Sequence, residues 1–311
     1  MAGTTRVVLA VATYRRAELL RDLLPLLVAE VDELEDEARV VVVDNDPDGS
    51  ARAVVERLGS PSVDYYLEPR PGIAAARNRA LEESAGAEAL VFIDDDERPG
   101  EAWLQTLVAA WKEWRCAAVA GPVVSLFEGS VDSWVETCST FRRPRRASGT
   151  IMAGAATSNL LLDVGQLNRL GLRFDDRFGL TGGSDTMLTR RLTRLGGEIR
   201  WCDEAAVTEA VPPERANRRW ALARTRRTGN VWSRVALELA ESPGERLRTR
   251  TRLTVRGAYR VVWGSVLALL GVLTRDVAKR ADGELEVCTG VGVLRGAYGH
   301  LVTEYHREGT T

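Results

Sequence analysis

Residues 89–99, A-L-V-F-I-D-D-D-E-R-P, decide the fold of this chain. Five apolar residues run directly into Asp94, Asp95 and Asp96, and a short apolar run of this kind predicts a buried strand. In an open α/β sheet, ligands bind at the carboxyl ends of the strands, where these aspartates would stand. Adjacent carboxylates repel one another, and Mg²⁺ or Mn²⁺, which prefer oxygen ligands, would offset their charge. The alternative is a solvated acidic turn that caps a following helix, since residues 99–101 resemble a helix start.

Strand and helix patterns alternate on the amino-terminal side of this stretch. Apolar runs predict strands at residues 6–12, 39–43 and 63–67, before the strand that begins at Ala89. Helical patterns lie between them, at residues 17–30, 51–58 (with Ser50 as its predicted N-cap) and 72–83. The alternation predicts an α/β fold, a mostly parallel Rossmann-like sheet flanked by helices.

Polar side chains follow each of these strands. They are Thr13 and Tyr14, Asp44 and Asp46, Glu68 and Arg70, and then the three aspartates. Because the carboxyl ends of parallel strands share one edge of a sheet, four polar strand ends in succession indicate a binding site at that edge.

A second group of candidate site residues lies further along the chain. The segment T-G-G-S-D, residues 181–185, leads into a predicted helix at residues 186–195. Its glycines would let a ligand approach Asp185 near the helix amino terminus. The alternative is that Ser184 or Asp185 acts only as the N-cap of this helix.

Composition limits the classes of function. A net charge of −2 over 311 residues argues against general nucleic-acid binding. The four cysteines are far apart and have no metal-ligand spacing, so reduced thiols in the cytoplasm are expected. The chain passes from its first three residues directly into a strand, without the pattern of a signal peptide, and this also predicts a cytoplasmic protein.

The carboxyl-terminal part differs from the rest. Residues 1–212 carry the alternating pattern, whereas residues 213–311 are mostly helical and basic, with 13 arginines against 4 glutamates between residues 214 and 260. An apolar run at residues 261–273 is too short for a membrane span and suits a buried helix or one in a membrane interface. This extension would meet phosphates and the cytoplasmic membrane face, or would pack on the sheet or form a homodimer.

Five motifs, in order, resemble those of the family 2 glycosyltransferases, which have the GT-A fold. They are V-A-T-Y-R-R at 11–16, V-V-V-D-N at 41–45, P-G-I-A-A-A-R-N-R-A at 71–80, F-I-D-D-D-E at 92–97, and G-G-S-D at 182–185 followed by two arginines. The resemblance covers residues 6–229. A weaker resemblance of residues 290–299, leading to Glu304 and Tyr305, is to bacterial members that build cell-surface polysaccharides.

This resemblance implies an inverting, metal-dependent transfer of a sugar from a nucleoside diphosphate sugar, most simply a UDP-sugar, to a hydroxyl group. The acceptor would be a glycan, a lipid-linked acceptor or a small molecule. The implied donor-binding residues are Thr13, Tyr14, Arg15, Asp44 (to the base), Arg77, Asp94 and Asp95. The implied ligands of Mn²⁺ or Mg²⁺ are Asp96, Asp94 and Glu209, and the implied general base is Asp185.

Two positions depart from the family pattern. Ser184 stands where the family usually has glutamate, which puts one acceptor contact in doubt, and Glu209 stands where a histidine ligand is common. A non-catalytic nucleotide-sugar-binding or scaffold protein is therefore the alternative. A nucleotidyltransferase is disfavoured because the loop after the first strand lacks glycine, and a dinucleotide-dependent oxidoreductase because G-x-G-x-x-G is absent there.

Overall fold

The computed structural model describes residues 4–300, in two compact units. The first contains the described residues up to Val124, Arg145–Leu180 and Ser184–Glu209. The second contains Ser125–Pro144, Thr181–Gly183 and the described residues from Ala210 onward. Glu304 and Tyr305, part of the polysaccharide-type tail, lie outside the described residues.

The described residues contain eleven strands and ten α-helices. The strands are β1 (Arg6–Thr13), β2 (Glu37–Asp44), β3 (Val63–Leu67), β4 (Ala89–Asp94), β5 (Glu97–Pro99), β6 (Ala118–Ala120), β7 (Val123–Phe127), β8 (Ile151–Met152), β9 (Leu160–Asp163), β10 (Ile199–Trp201) and β11 (Val207–Val211). The helices are α1 (Ala17–Glu33), α2 (Arg52–Leu58), α3 (Ile73–Glu83), α4 (Trp103–Trp114), α5 (Ser133–Thr137), α6 (Val164–Arg169), α7 (Ser184–Arg194), α8 (Arg218–Glu238), α9 (Pro243–Thr274) and α10 (Val277–Ala297).

Eight strands of the first unit form one sheet in the order β3-β2-β1-β4-β9-β6-β10-β8. β1 is parallel to both β2 and β4, β2 is parallel to β3, and β10 is parallel to β6. β9 is antiparallel to β4 and β6, and β8 is antiparallel to β10. The predicted α/β class with a mostly parallel sheet is therefore confirmed.

The central strands are apolar on both faces because each face has its own core. In β1, Val7, Leu9 and Val11 point into one cluster of buried residues, whereas Val8 and Ala10 point into the other. The two-residue period of a strand sends alternate side chains to opposite faces, so a strand covered on both sides has a continuous apolar sequence. This burial fixes the position at which β4 ends, and thereby the position of the aspartates.

One predicted helix start is wrong. Ser50 was expected to cap the second helix, but α2 begins at Arg52 after Ala51, and no side chain caps it. The Ser50 hydroxyl is buried and has no hydrogen-bond partner among the described residues. Asp44, at the end of β2, accepts the Ala51 N–H at 2.7 Å instead, so the strand end organises this loop.

The second unit confirms a helical carboxyl-terminal region. Residues 239–242 separate α8 from α9, and Ser242 caps α9 by accepting the Glu245 N–H at 3.1 Å. The apolar run at residues 261–273 is the last part of α9. Among the helices that the structure describes, α9 has the length and composition of a membrane span, and 17% of its most apolar window is buried.

Close packing in the first unit can be tested by mutation of Gly121, which lies beside β6. A Cβ there would lie 2.1 Å from the Ala205 carbonyl oxygen and 2.4 Å from Asn159 Nδ2. We expect Gly121→Ala to lower the free energy of unfolding by about 1–3 kcal/mol, because backbone must move to admit the methyl group. Gly244→Ala is the control, since a Cβ there meets nothing within 4 Å. Denaturant titration of both variants checks this, and equal stabilities would contradict it.

Candidate active site

The three aspartates lie at a turn between two strands of the first unit. β4 ends at Asp94, and β5 begins at Glu97, whose Oε2 accepts the Asp94 N–H at 2.9 Å. The alternative of an acidic cap for the next helix is wrong, because β5 intervenes and α4 begins only at Trp103. The carboxylates therefore face the carboxyl edge of the sheet, as the apolar run before them predicted.

Arg16 holds one side of this turn. Its Nη1 lies 2.8 Å from Asp95 Oδ1 and 3.3 Å from Asp96 Oδ2, and Thr13 Oγ1 donates to Asp95 Oδ2 at 2.8 Å. Thr13 and Asp95 are both buried. The predicted donor residues Thr13 and Asp95 thus bind each other here, and they join the loop after β1 to the acidic turn.

Arg77 holds the other side and reaches a second element. This side chain projects from α3 and is buried, with Nη2 4.0 Å from Asp94 Oδ1. Its Nη1 donates to Ser184 Oγ at 3.2 Å. Because Ser184 is the first residue of α7, one guanidinium connects the end of β4 to the start of the helix that carries Asp185.

Asp185 lies in the first turn of α7. Its Oδ1 accepts the Thr186 N–H at 2.6 Å, which uses one oxygen within the helix. The Asp185 carboxylate also contributes to a raised pKa at Asp94, so the two groups lie within electrostatic range. The structure thus brings together Arg77, Asp94 and Asp185, although they come from three separate elements.

Glu209 joins the acidic cluster through a second sheet. β11 is antiparallel to β5, and Glu209 pairs with Glu97 in this register. Both side chains are buried. Burial, together with the carboxylates of Asp94, Asp96 and Glu209, raises the pKa of Glu97 well above its usual range. Three acidic neighbours around one buried carboxyl group form a strongly negative site.

The same repulsion acts on Asp94. Desolvation raises its pKa to about 6, and the carboxylates of Asp96, Asp95 and Asp185 add to the effect against the opposing charge of Arg77. Water nevertheless reaches 45% of the Asp94 side chain and 19% of the Asp96 side chain. A cation could approach these two carboxylates directly from solvent, whereas the Glu209 side chain is buried.

The oxygen ligands available at this site suit a hard divalent cation. They are carboxylate oxygens, which Mg²⁺ and Mn²⁺ prefer, and their repulsion favours a positive charge among them. Within residues 4–300, no group of three His, Cys, Asp or Glu side chains is already arranged to hold a metal. Asp94, Asp96 and Glu209 therefore provide suitable atoms rather than a preformed cage.

The other predicted donor residues surround the end of β2. The buried Asp44 carboxylate accepts hydrogen bonds from the Asp46 N–H at 3.0 Å, the Ala51 N–H at 2.7 Å and the Tyr65 hydroxyl at 3.1 Å. These contacts hold the loop after β2 in one shape. Asp44 therefore shapes this loop, and its predicted contact with a nucleobase stays a prediction.

Tyr14 and Arg15 lie in the loop after β1, where Tyr14 is half-buried and Arg15 is exposed. The Arg15 guanidinium lies 5.3 Å above the Tyr14 ring and 3.4 Å from Asp46 Oδ2. Arg15 has a φ of +54°, a left-handed conformation that is strained for a residue with a side chain. The accessible Arg15 guanidinium, in a strained loop beside the strand ends, is suited to bind an anionic ligand.

Sequence reasoning missed three residues of this site. Arg16 was quoted in a motif but given no role, Glu97 follows the three aspartates, and Asn78 follows Arg77. Asn78 connects α3 to the loop before α7, since its Nδ2 donates to the Phe174 carbonyl at 2.9 Å and its Oδ1 accepts the Phe174 N–H at 2.9 Å. The fourth acid in D-D-D-E was a signal for Glu97, whereas Asn78 was visible only as part of the A-R-N motif.

Comparison with known proteins decides the family. The model of the family described as Glycosyl transferase family 2 matches residues 8–163, which contain β1, the acidic turn and β9. The chain belongs to glycosyltransferase family 2. A curated relative, the succinoglycan biosynthesis protein ExoM of Rhizobium meliloti (strain 1021), is 35% identical over 301 residues, covering 95% of this chain and 94% of the relative.

Solved structures show that this family 2 glycosyltransferase has the GT-A fold. The mannosyltransferase PcManGT from Pyrobaculum calidifontis, in complex with GDP-Man and Mn²⁺, has a TM-score of 0.62 at 19% identity, over 95% of this chain and 88% of that one. S. aureus TarS 1-349 in complex with UDP-GlcNAc has a TM-score of 0.53 at 14% identity, over 90% of each chain. The match over almost the whole chain includes the carboxyl-terminal helices.

The ion pair of Arg16 can be tested by mutation. We expect Arg16→Gln to lower the free energy of unfolding by about 1–3 kcal/mol, because the buried Asp95 loses a charged partner. Arg21→Gln removes an exposed pair with Glu18 on α1 and should change stability by less than about 0.5 kcal/mol. Denaturant titration at low and high salt measures both. Equal effects would show that Arg16 adds no more than a surface charge.

Proposed function

We propose that this glycosyltransferase moves a sugar, with inversion, from a nucleoside diphosphate sugar to an acceptor hydroxyl group in a metal-dependent reaction. The observation that carries the proposal is the Arg77 guanidinium, which lies between Asp94 on β4 and Ser184, the neighbour of Asp185 on α7. One side of this arrangement can hold a diphosphate and the other can activate a hydroxyl. UDP is the default nucleotide, and the solved relatives that hold UDP-GlcNAc and GDP-Man support a nucleotide-sugar donor.

The donor would lie along the carboxyl edge of β1, β2 and β4. Asp44 would accept a hydrogen bond from the base, beside Thr13 and Tyr14. Arg15 and Arg77 would face the diphosphate, because guanidinium groups make strong, directional hydrogen bonds to phosphate oxygens. Asp94 and Asp95 would contribute on the ribose side. Asp95 would act there through its contacts with Thr13 and Arg16.

Asp96, Asp94 and Glu209 would hold Mn²⁺ or Mg²⁺. When bound, this cation would neutralise charge on the departing diphosphate. The PcManGT structure, which contains Mn²⁺, supports a divalent cation in this chain. The raised pKa values of Asp94 and Glu97 support it further, because burial and the neighbouring carboxylates both disfavour the charged form of each group, and a bound cation would offset that cost.

Asp185 would act as the general base. It would accept the proton of the acceptor hydroxyl as that oxygen attacks the anomeric carbon on the face opposite the diphosphate. The carbon–oxygen bond to the diphosphate breaks as the new glycosidic bond forms, which inverts the anomeric centre. Ser184, where the family usually has glutamate, is buried against Arg77 and would position it.

The acceptor and the cellular place complete the proposal. The polysaccharide role of the 35% identical relative supports a glycan or lipid-linked acceptor, with a small molecule as the alternative. Residues 1–212 would form the nucleotide-sugar and catalytic domain, and residues 213–311 an extension for membrane contact or a homodimer. The enzyme would act in the cytoplasm, and membrane contact by the extension would place it at the inner face of the membrane.

Replacement of the base should separate binding from transfer. Asp185→Asn should bind the donor as the wild type does, because its amide keeps the shape of the side chain, yet lose about 10²–10⁴-fold in transfer rate. Donor affinity is measured by calorimetry and transfer by nucleotide release with acceptor present. Asp22→Asn, an exposed carboxylate on α1, is the control. Near wild-type transfer by Asp185→Asn would move the role to Glu209 or Asp176.

Removal of the cation should abolish donor binding. We expect EDTA, or Asp96→Asn and Asp94→Asn singly, to weaken Mn²⁺-dependent donor binding strongly, because the diphosphate then faces uncompensated carboxylates. Calorimetric titration of donor with and without Mn²⁺ measures this, again with Asp22→Asn as control. Donor affinity that stays the same in EDTA would exclude a metal-dependent site.

A donor screen tests the function as a whole. The purified protein is mixed with UDP-, GDP- and dTDP-sugars plus Mn²⁺ or Mg²⁺, and both binding and slow nucleotide release are scored. One donor that binds and releases its nucleotide would support the transferase and name the sugar. Binding of a donor that never releases nucleotide, with any acceptor offered, would favour a nucleotide-sugar-binding scaffold.

A further inference from the structure

The second unit contains a groove whose lining includes none of the residues proposed for sugar transfer. It has a volume of about 1030 Å³, and α8, α9, α10 and the segment after α5 form its walls. Four arginines line it against two carboxylates, Asp282 and Glu286. Glu286 accepts a hydrogen bond from Arg260 Nη1 at 2.7 Å, so that pair is internally balanced. The excess of positive charge in the lining as a whole suits an anionic ligand.

Aromatic side chains form the rest of the lining. The Arg256 guanidinium lies 5.1 Å above the ring of Trp232, which orients it within the groove. Tyr259 and Trp263 also line the groove, and both are exposed on its rim. Tryptophan and tyrosine are enriched at the boundary between membrane and water, where an apolar ring and a polar tip meet different surroundings.

An apolar surface on α9 includes one of these rim residues, Tyr259. Six exposed side chains follow one another at intervals of four and three residues, and between 44% and 71% of each residue is accessible: Val255, Tyr259, Val262, Val266, Leu269 and Leu273. We name this set the α9 belt. Intervals of this kind put all six on one face of a helix. No charged residue occurs between residues 261 and 274.

The belt suits lipid better than a second helix. A helix pair in water buries a narrow apolar stripe between charged flanks. Here the flanks are apolar too, since Trp263, Leu270 and Val272 are also exposed outside the belt. The preceding half of α9 carries six arginines and one glutamate, between residues 243 and 260, which complements an anionic membrane surface.

The packing on the opposite face of α9 favours a helix that lies in the membrane surface over a helix that crosses the membrane. Gly264 and Gly271 are buried there, and a Cβ on them would lie 2.7 Å from the Gly283 carbonyl oxygen and 2.4 Å from the Arg280 nitrogen. α10 is therefore packed against the apolar half of α9, and it carries charges in that part: Arg280, Asp282, Glu284 and Glu286. Charges at bilayer depth are costly, so this helix pair fits the membrane–water boundary.

We propose that the α9 belt rests in a bilayer surface and that the groove beside it binds the phosphate-bearing headgroup of a membrane lipid. The ligand class is an amphiphile that ends in a phosphate monoester or diphosphate. Arg256 and Arg224 bind the phosphate oxygens, and Tyr259 and Trp263 mark the membrane boundary. The proposal concerns the second unit alone, so its test does not depend on sugar transfer.

The test compares two kinds of anionic vesicle at equal surface potential. Phosphatidylcholine vesicles contain either phosphatidic acid, with an exposed phosphate monoester, or phosphatidylglycerol, with a phosphodiester. We expect the full chain to bind the phosphatidic acid vesicles roughly tenfold or more tightly in co-sedimentation, the effect of one further arginine–phosphate contact. Equal affinity for both vesicles would overturn the headgroup site.

Matched variants assign the preference to the groove. Arg256→Gln should abolish the preference, and Arg224→Gln should do so if Arg256→Gln fails to fold. Arg248→Gln, with the same loss of charge on an exposed part of α9, should weaken both affinities by up to about fivefold and keep the preference. A groove variant that keeps the preference would overturn the proposal.

Two further measurements distinguish other occupants. Leu269→Asn with Leu273→Asn should lose binding to both vesicles without a change in melting temperature, because both side chains are exposed. If inorganic diphosphate binds the chain as tightly as the vesicles do and this belt variant keeps vesicle binding, the ligand is a soluble anion and the lipid assignment is wrong. A dimer in light scattering that the belt variant dissociates would instead identify the belt as a contact between two copies of the chain.

Discussion

Mutual repulsion of carboxylates at the end of β4 is the constraint on which the active site depends. Asp94, Asp95, Asp96 and Glu97 follow one another, and Glu209 approaches from β11. Two guanidinium groups face them from the protein, that of Arg16 and that of Arg77. This partial compensation leaves a site that favours further positive charge, and it adds to desolvation, the main cause that raises the pKa of Asp94 to about 6.

The same two arginines connect the site to the fold. Arg16 ties the loop after β1 to the acidic turn, and Arg77 ties α3 and α7 to the end of β4. Arg16 directly precedes α1 and Arg77 lies on α3, and each of these helices packs its apolar side chains into one of two close-packed cores. Because such cores resist small displacements, the distances between Asp94, Asp185 and their partners are set by packing on both faces of the sheet.

Sequence patterns could predict the elements whose signal is local. The apolar run before Asp94 predicted β4, because burial leaves a pattern in the sequence. The leucines at residues 19, 20, 23, 24, 26 and 27 predicted α1, and the structure buries those at residues 20, 23, 24 and 27. Ser50 shows the limit of such reasoning. Its residue type suggested that it caps α2. Instead, the Ala51 N–H donates to the Asp44 carboxylate, which lies seven residues before Ala51 in the chain. A cap signal is weak when a buried carboxylate is brought to the same place.

By itself, the sequence determined the α/β class, the acidic strand end, the family and the chemical types of the site residues, because each lies in a short run of neighbouring residues. Only the tertiary structure decided which of them meet. Arg77 and Ser184 are 107 residues apart and form a hydrogen bond, and Glu209 reaches Glu97 through the β5–β11 pairing. The exposure of one face of α9 was also decided there, because α10 covers the glycine face and leaves the belt open. Contacts between distant segments depend on strand register and helix packing, which no local pattern records.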